Sequence, residues 1–348
     1  MSRAETLLRG LDKKSKVIEI GPSFAPLTPK RDGWNAFVVD HDTREGLIAK
    51  YRADPHVANV NLIEDVDHVW RGGSIADAIP AADHGTFDAF IASHVIEHTT
   101  DVVTFLEAAQ RLLKPDGLVI LAVPDKRKCF DLYRPVSTTG AAIAAYREKR
   151  ALHRPEVYFD FVAYHASKAG AAGWRMNDTS PKPLTAPLDQ LLAHWDKAAN
   201  ATSYVDAHQW VFTPSSLALM VLDLAGLGLL DLRVEATQEA DNTEFHAWLR
   251  KGREQLSPQE LQAKRLTLME EVVIELAEQS RQIPRSPLAT TNALSEPQFK
   301  AALERIGALE AELAPLRRLP KWFRRALASF HDHRRARRAA RRQARQTA

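Results

Sequence analysis

Val17-Ile18-Glu19-Ile20-Gly21-Pro22 is the stretch on which the fold turns. This short apolar run follows the basic Lys13-Lys14-Ser15-Lys16 and stops at Gly-Pro. That is the pattern of a buried parallel strand running into a loop. Asn35-Ala36-Phe37-Val38-Val39-Asp40 repeats it and ends in an acid 19 residues after Gly21. A glycine closing one strand and a carboxylate closing the next is the geometry of a nucleotide site at the carboxyl ends of a parallel sheet. Backbone amides of the first loop can approach a ligand closely, and the carboxylate can accept two ribose hydroxyls.

Outward from this pair the alternation of strand and helix continues. The pattern predicts a helix over Arg44–Tyr51, a third strand over Val57–Ile63 and a fourth over Phe87–Ser93. Val102–Leu113 follows as an amphipathic helix, with Val102, Phe105, Leu106, Ala109 and Leu112 on one side. Lys114-Pro115-Asp116-Gly117 stops it, and Leu118–Val123 is the fifth strand, closed by Pro124. Thr213 caps a helix with Pro214 at its first position. Leu229–Gln238 and Glu244–Lys251 read as two closing strands joined by a polar hairpin loop. At the other end, Leu7, Leu8 and Leu11 make one face of a short N-terminal helix. The expected fold is α/β, a Rossmann-like, mostly parallel sheet of seven strands with helices on both faces. Ser257–Gln282 is a polar helix opening on the capping box Ser-Pro-Gln-Glu. A Pro/Ser/Thr/Asn linker over 283–297 and a second helix over Gln298–Leu313 complete a helical extension.

Composition excludes several classes. With 348 residues, 45% hydrophobic and 26% charged, the chain can bury a core and is neither disordered nor fibrous. One cysteine, Cys129, rules out an internal disulfide and a cysteine-built zinc site, and it reads as an inert small hydrophobe. No run approaches the roughly 18 apolar residues of a membrane span, and the first residues lack a signal peptide's apolar stretch. A cytoplasmic protein is expected. The net charge of +3 conceals an asymmetry: 317–348 carries 12 Lys/Arg and one acid, leaving 35 basic and 43 acidic residues before it. Seven arginines from Arg334 to Arg345 fall on one helical face, behind an apolar stripe of Trp322, Phe323, Leu327 and Phe330. Such a tail suits peripheral contact with an anionic membrane at its inner face, or with an acidic protein.

Two cofactors use the loop-and-acid arrangement, nicotinamide dinucleotides and S-adenosylmethionine. The dinucleotide needs G-x-G-x-x-G so that its pyrophosphate rests on a helix N-terminus. Gly21-Pro22-Ser23-Phe24-Ala25-Pro26 keeps only the first glycine, and a Phe with two prolines cradles a pyrophosphate poorly. S-adenosylmethionine has no pyrophosphate.

Three motifs in order then resemble the class I S-adenosylmethionine-dependent methyltransferases, in the small-molecule branch called methyltransferase type 11. They are Val17–Gly21, the run Phe87–His98 ending Ser-His-Val-Ile-Glu-His, and Leu112–Leu121 with its Lys-Pro-Asp-Gly. The likeness is strong over about 16–125 and looser over 210–251. It implies that Glu19 and Gly21, with Pro22 and Ser23, frame the methionine moiety and that Asp40 holds the ribose. Asp65 or Asp67 would lie near the adenine, and Ser93 and His94 would line the sulfonium end. Ser23 and Ala25 stand where glycines are common in the family. On this reading 1–251 is the methyltransferase domain, 252–316 the helical extension and 317–348 the basic tail.

Methyl transfer is an in-line displacement, so alignment of nucleophile and methyl supplies most of the acceleration. A hydroxyl nucleophile must also lose its proton to a base within hydrogen-bond reach. His94, Glu97 and His98 are delivered to the cleft by strand four; His98 is the favoured base and Asp125, ending strand five, its competitor. Enzymes that methylate base amino groups usually carry Asn-Pro-Pro-aromatic where this chain has Ser-His-Val-Ile, which argues against nucleic acid as substrate.

Residues 125–209 interrupt the alternation over the mouth of the site, as an inserted lid. Tyr133, Arg134, His153, Tyr158, His165, Trp174, Arg175, Asn177, Asp178, Tyr204 and Asp206 suit a sugar or another polyhydroxylated acceptor, although most of the rings are expected to form the lid's own core. The spacing offers no metal set, since neither His-x-x-x-His nor clustered acids occur. His208, in Asp206-Ala207-His208-Gln209-Trp210, resembles a feature of methyltransferases acting on bacterial glycans and is a third catalytic candidate. The expected function is O-methylation of a carbohydrate or related small acceptor, a surface-glycan or lipid-linked precursor. The contrasting expectation is a non-catalytic scaffold that recruits partners through its C-terminal helices and tail.

Overall fold

A computed structural model describes residues 2–285, apart from 55, 56 and 58, together with residue 305. The helix expected over 298–313, the tail 317–348 and most of the linker lie outside the described residues. The account that follows concerns the unit Met1–Ala289.

Seven strands form one sheet: β1 (Val17–Ile20), β2 (Ala36–Asp40), β3 (His68–Val69), β4 (Phe87–Ser93), β5 (Leu113–Pro124), β6 (Leu232–Glu239) and β7 (Glu244–Lys251). Their order is β3-β2-β1-β4-β5-β7-β6, and β7 alone runs against its neighbours β5 and β6. The mostly parallel, seven-stranded Rossmann-like sheet expected from the sequence is therefore present. All four residues of β1 are buried, three of them apolar and the fourth Glu19. Ile20 lies opposite Val39 on one side and Ala92 on the other. Register thus brings Gly21, Asp40 and Ser93 to one end of the sheet at one level.

Helices cover both faces. The short α1 (Arg3–Leu7) and α2 (Arg44–Tyr51) precede α3 (Val102–Leu112), whose cap Asp101 accepts from the amides of Val103 and Thr104 at 3.0 Å each. Seven apolar residues of α3 are buried against the sheet. Residues 125–209 carry α4 (Thr139–Glu148), α5 (Pro155–Ala163) and α6 (Leu191–Ala199). The chain re-enters the core at α7 (Pro214–Gly226) and closes with α8 (Pro258–Ser280), which opens on the predicted capping box of Ser257 and Glu260. The extension is tied in: Arg265 pairs with Asp223 at 2.6 Å, and Gln279 donates to the Leu132 carbonyl at 2.8 Å.

Two expectations about elements change. Val57–Ile63 is not the third strand; Val60–Leu62 is a single 3-10 turn, and β3 is the two-residue His68–Val69. Lys114-Pro115-Asp116-Gly117 ends α3 as expected but lies within the irregular start of β5, where Asp116 adopts φ +59°. No helix among the described residues is long and apolar enough to cross a membrane.

Candidate active site

The loop after β1 is held from beneath. Buried Glu19 accepts from the Leu27 amide at 2.7 Å, the Thr28 amide at 3.0 Å and the Thr28 hydroxyl at 2.7 Å. Burial pushes its carboxyl up, against the pull of those three donors. Its oxygens are thus committed to folding Gly21–Thr28, and Glu19 is a positioning residue. Gly21 sits at φ +61°, and a Cβ there would lie 3.2 Å from Val95 Cγ2. Ser23 also takes a left-handed φ of +47°, and its hydroxyl is buried without a hydrogen-bond partner. A strained loop after β1 with an unpartnered buried hydroxyl fits a polar ligand tail.

At the end of β2, Asp40 is 5% exposed. Its Oδ1 takes the His41 amide at 2.7 Å and ring Nδ1 at 2.6 Å. Asp65 does not join it. Both Asp65 and Asp67 come before β3, because the strand begins at His68. The Asp65 side chain is 90% exposed, 3.8 Å from Arg44 Nε, while Asp67 binds the Val38 amide at 2.7 Å and Lys30 Nζ at 2.5 Å. The loop that follows β3 is Trp70–Ser74, where the Trp70 indole donates to the Gly73 carbonyl at 3.1 Å. Placing the strand at Val57–Ile63 instead of His68–Val69 hid this loop from sequence reasoning.

At the end of β4, His94 turns the chain at φ +54°. Its Nε2 meets Glu244 Oε2 at 2.8 Å, and Ser93 Oγ accepts from Arg3 at 2.6 Å. Glu244 also receives Arg3 at 2.7 and 2.9 Å and His246 at 2.9 Å. Burial raises its carboxyl, but hydrogen bonds from His246, His94 and Arg3 overcome that and hold it far below the usual range. Arg3 and Glu244 lie 241 residues apart, and nothing local in the sequence pairs them.

The 3-10 turn Ile96–His98 brings the acceptor-side candidates together. Gln209 and Trp210 donate their amides to the Glu97 carbonyl at 2.7 and 3.1 Å, which fixes the segment carrying His208 against this turn. His98 Nδ1 meets Asp206 Oδ1 at 2.8 Å, and His208 Nδ1 meets Asp131 Oδ2 at 2.6 Å. The two rings lie edge to face, 4.7 Å apart. Burial lowers the His98 imidazole, but Asp206 and Glu97 more than restore it, leaving it above its ordinary value. Tyr204 donates to Asp206 at 2.9 Å and to the His98 carbonyl at 3.0 Å. Phe130 stacks on His165 at 4.5 Å, and Phe130 and Phe161 also flank His208. As expected, many of the inserted rings pack on one another; Tyr158 and Trp174 are buried.

Asp125, the competing base, is ruled out. It is fully buried and paired with the fully buried Arg127 guanidinium at 2.9 and 2.7 Å, with Lys128 at 3.5 Å. A carboxylate so enclosed cannot reach an acceptor. Cys129 is buried, and burial pushes its thiol up, as its reading as an inert hydrophobe requires. The fold makes a grouping that the spacing argument did not consider: Glu97, His98 and His208, one ligand atom from each within 4.8 Å of the others. Sequence distances of one and 110 residues gave no such sign.

Residues 21–121 match the family model of a methyltransferase domain. No curated protein matches the chain. Among solved structures, an S-adenosylmethionine-dependent methyltransferase from Mesorhizobium loti is 14% identical, covering 72% of this chain and 99% of that one at a TM-score of 0.37. One from Aquifex aeolicus is 13% identical over 72% and 89%, at 0.35. A chain from Rhodobacter sphaeroides described as a proposed zinc-dependent alcohol dehydrogenase is 13% identical over 72% and 89%, at 0.38. Overlaps this distant, under two different descriptions, decide nothing about activity. The weight rests on the matched domain.

Proposed function

We propose that this enzyme, an S-adenosylmethionine-dependent methyltransferase by its matched domain, methylates a hydroxyl of a carbohydrate or related polyhydroxylated small acceptor. The observation that carries this reading is the pair of histidine–carboxylate couples, His98–Asp206 and His208–Asp131, set beside the carboxyl end of β4. Groups that take up a proton are what a hydroxyl nucleophile needs, whereas a thiolate has already lost its own. S-adenosylmethionine, when bound, supplies a methyl group made electrophilic by its sulfonium. The buried Ser23 hydroxyl and the Gly21–Ser23 backbone would hold its amino-acid tail, Asp40 its ribose, and the Trp70–Ser74 loop its adenine side.

The acceptor would enter between the turn Ile96–His98 and residues 125–209, which act as a lid. There Tyr204, Tyr133 and His165 offer a mixed lining of ring faces and hydrogen-bonding groups. Asp206 holds His98 by Nδ1, which leaves Nε2 turned toward the Glu97 side and open to the hydroxyl proton. Alignment does the rest. A lipid-linked or surface-glycan precursor is the acceptor class that also gives the basic residues 317–348 a use, against an anionic surface.

The test is calorimetric titration with S-adenosylmethionine and S-adenosylhomocysteine, followed by a methyl-transfer screen that begins with sugars and glycan precursors. Micromolar cofactor binding and transfer to a hydroxyl, strongly reduced in the His98→Ala enzyme, is the expected result. Transfer confined to amines or thiols would overturn the acceptor assignment.

A further inference from the structure

Glu97 poses a problem that the proton-transfer scheme leaves open. Its side chain is 1% exposed, and neither carboxylate oxygen has a hydrogen-bond partner. Burying a carboxylate unpaired costs several kcal/mol, so such a group is ordinarily neutralised by a cation. The nearest candidates are ring nitrogens: His94 Nδ1 at 3.6 Å and His98 Nε2 at 3.7 Å from Oε1, both too long for a hydrogen bond. Each of the other two members of the cluster is prepared in the same manner. His98 and His208 both give Nδ1 to a carboxylate, Asp206 and Asp131, which leaves each Nε2 as the free donor of an electron pair. Histidines that bind metals nearly always give the far nitrogen to a carboxylate, a backbone carbonyl or a water. Here both give it to a carboxylate. Asp131 is itself braced by Arg134 at 2.8 Å.

We propose that Glu97, His98 and His208 form a binding site for one divalent first-row transition-metal ion. Two imidazoles and a carboxylate select Zn²⁺, Mn²⁺, Fe²⁺ or Co²⁺ over Mg²⁺ and Ca²⁺, which prefer all-oxygen sets. Three protein ligands leave positions open for outside oxygen. Bonds of about 2.1 Å place ligand atoms at most ~4.2 Å apart, so a set within 4.8 Å closes by about half an ångström. His98, 30% exposed, is the ligand with room to move. Glu97 and His208 are locked together by the two backbone bonds from Gln209 and Trp210.

The existence of the site rests on the cluster alone; its role rests on the acceptor reading above. A hydroxyl bound to the ion loses its proton more readily, because the positive charge stabilises the alkoxide. With the ion in place the two histidines are ligands, and ionisation of the hydroxyl falls to the metal instead of to a histidine base.

The experiment uses the full chain, freed of metal by a chelator and titrated with Co²⁺ by visible absorption and with Zn²⁺ by calorimetry. One equivalent of Co²⁺ should bind and develop the d–d bands of a nitrogen–oxygen site. Glu97→Gln and His98→Gln should weaken binding at least 100-fold, and Asp131→Asn, which acts only through His208, about 10- to 100-fold. His194→Ala, a histidine outside the cluster, should leave it unchanged. His98→Gln lies at a partly exposed position, so it remains informative if Glu97→Gln unfolds. No stoichiometric Co²⁺ or Zn²⁺ binding by the unmodified chain, or equal binding by His98→Gln, would overturn the site. A parallel titration with S-adenosylmethionine separates the two readings. Cofactor binding without metal binding removes the metal site and leaves the methyltransferase standing, whereas metal binding without cofactor binding does the reverse.

Discussion

At the scale of single residues, the cofactor side of the site depends on two positions. Asp40 ends β2 inside the protein, whereas Asp65 is almost fully exposed ahead of β3. Asp40→Ala should therefore abolish calorimetric binding of S-adenosylmethionine, and Asp65→Ala should leave it within about twofold; an effect from Asp65 would mean that the β2–β3 loop closes over the ligand. Gly21→Ala forces a left-handed residue to carry a Cβ against Val95. It should cost about 1–2 kcal/mol in urea unfolding and weaken cofactor binding as well. Gly21, Asp40 and His98 could be found in the sequence because Asp40 closes a strand and the other two stand in the segment just after one. Their partners could not. That Glu19 spends its carboxylate on its own loop, or that Asp131 stands behind His208, depends on contacts between residues 8 and 77 apart, which no local pattern encodes.

Among the elements, β1, β2, β4 and β7 were legible because a strand buried on both faces is nearly continuous in apolar residues. β3 was not, since two residues at a sheet edge leave no periodic trace. α6 was missed for a different reason: its helical face lies inside an irregular insertion without a strong cap. The end of β5 is the element most exposed to mutation. Arg127 and Asp125 are enclosed together, so removing either strands a charge. Arg127→Met should destabilise the protein by about 3–5 kcal/mol, and joining it to Asp125→Asn should recover part of that loss; additive losses in a double-mutant cycle would show that the pair does not interact.

For the whole molecule, acid stability should follow Glu244. Its carboxyl is held below its ordinary value of 4.5, so as pH falls beneath that value the unfolded chain takes up the proton first and folding loses free energy. Urea midpoints should therefore fall steeply below about pH 4.5, and Glu244→Gln, less stable at neutral pH, should show a flatter acid limb. Ending the chain after residue 285 should preserve cofactor binding. Ending it after residue 256 removes α8, with the Arg265–Asp223 pair and the Gln279 anchor, and should lower the melting temperature by several degrees. Equal melting of the two truncations would show α8 to be an appendage.

The insertion leaves the sheet and rejoins it at almost the same point. Asp125 and Phe212 form a parallel bridge, and Lys126 donates its amide to the Phe212 carbonyl at 3.0 Å. Exchanging everything between those two positions for another loop of different length would barely alter the chain-closure entropy, which grows only with the logarithm of loop size. The segment is thus a natural cartridge for recombination: a graft there replaces one side of the cleft, provided that it keeps the bonds that Gln209 and Trp210 make to the Glu97 carbonyl. His208 travels with the cartridge while Glu97 and His98 stay behind, so a graft can gain or lose the chemistry at their junction in one step.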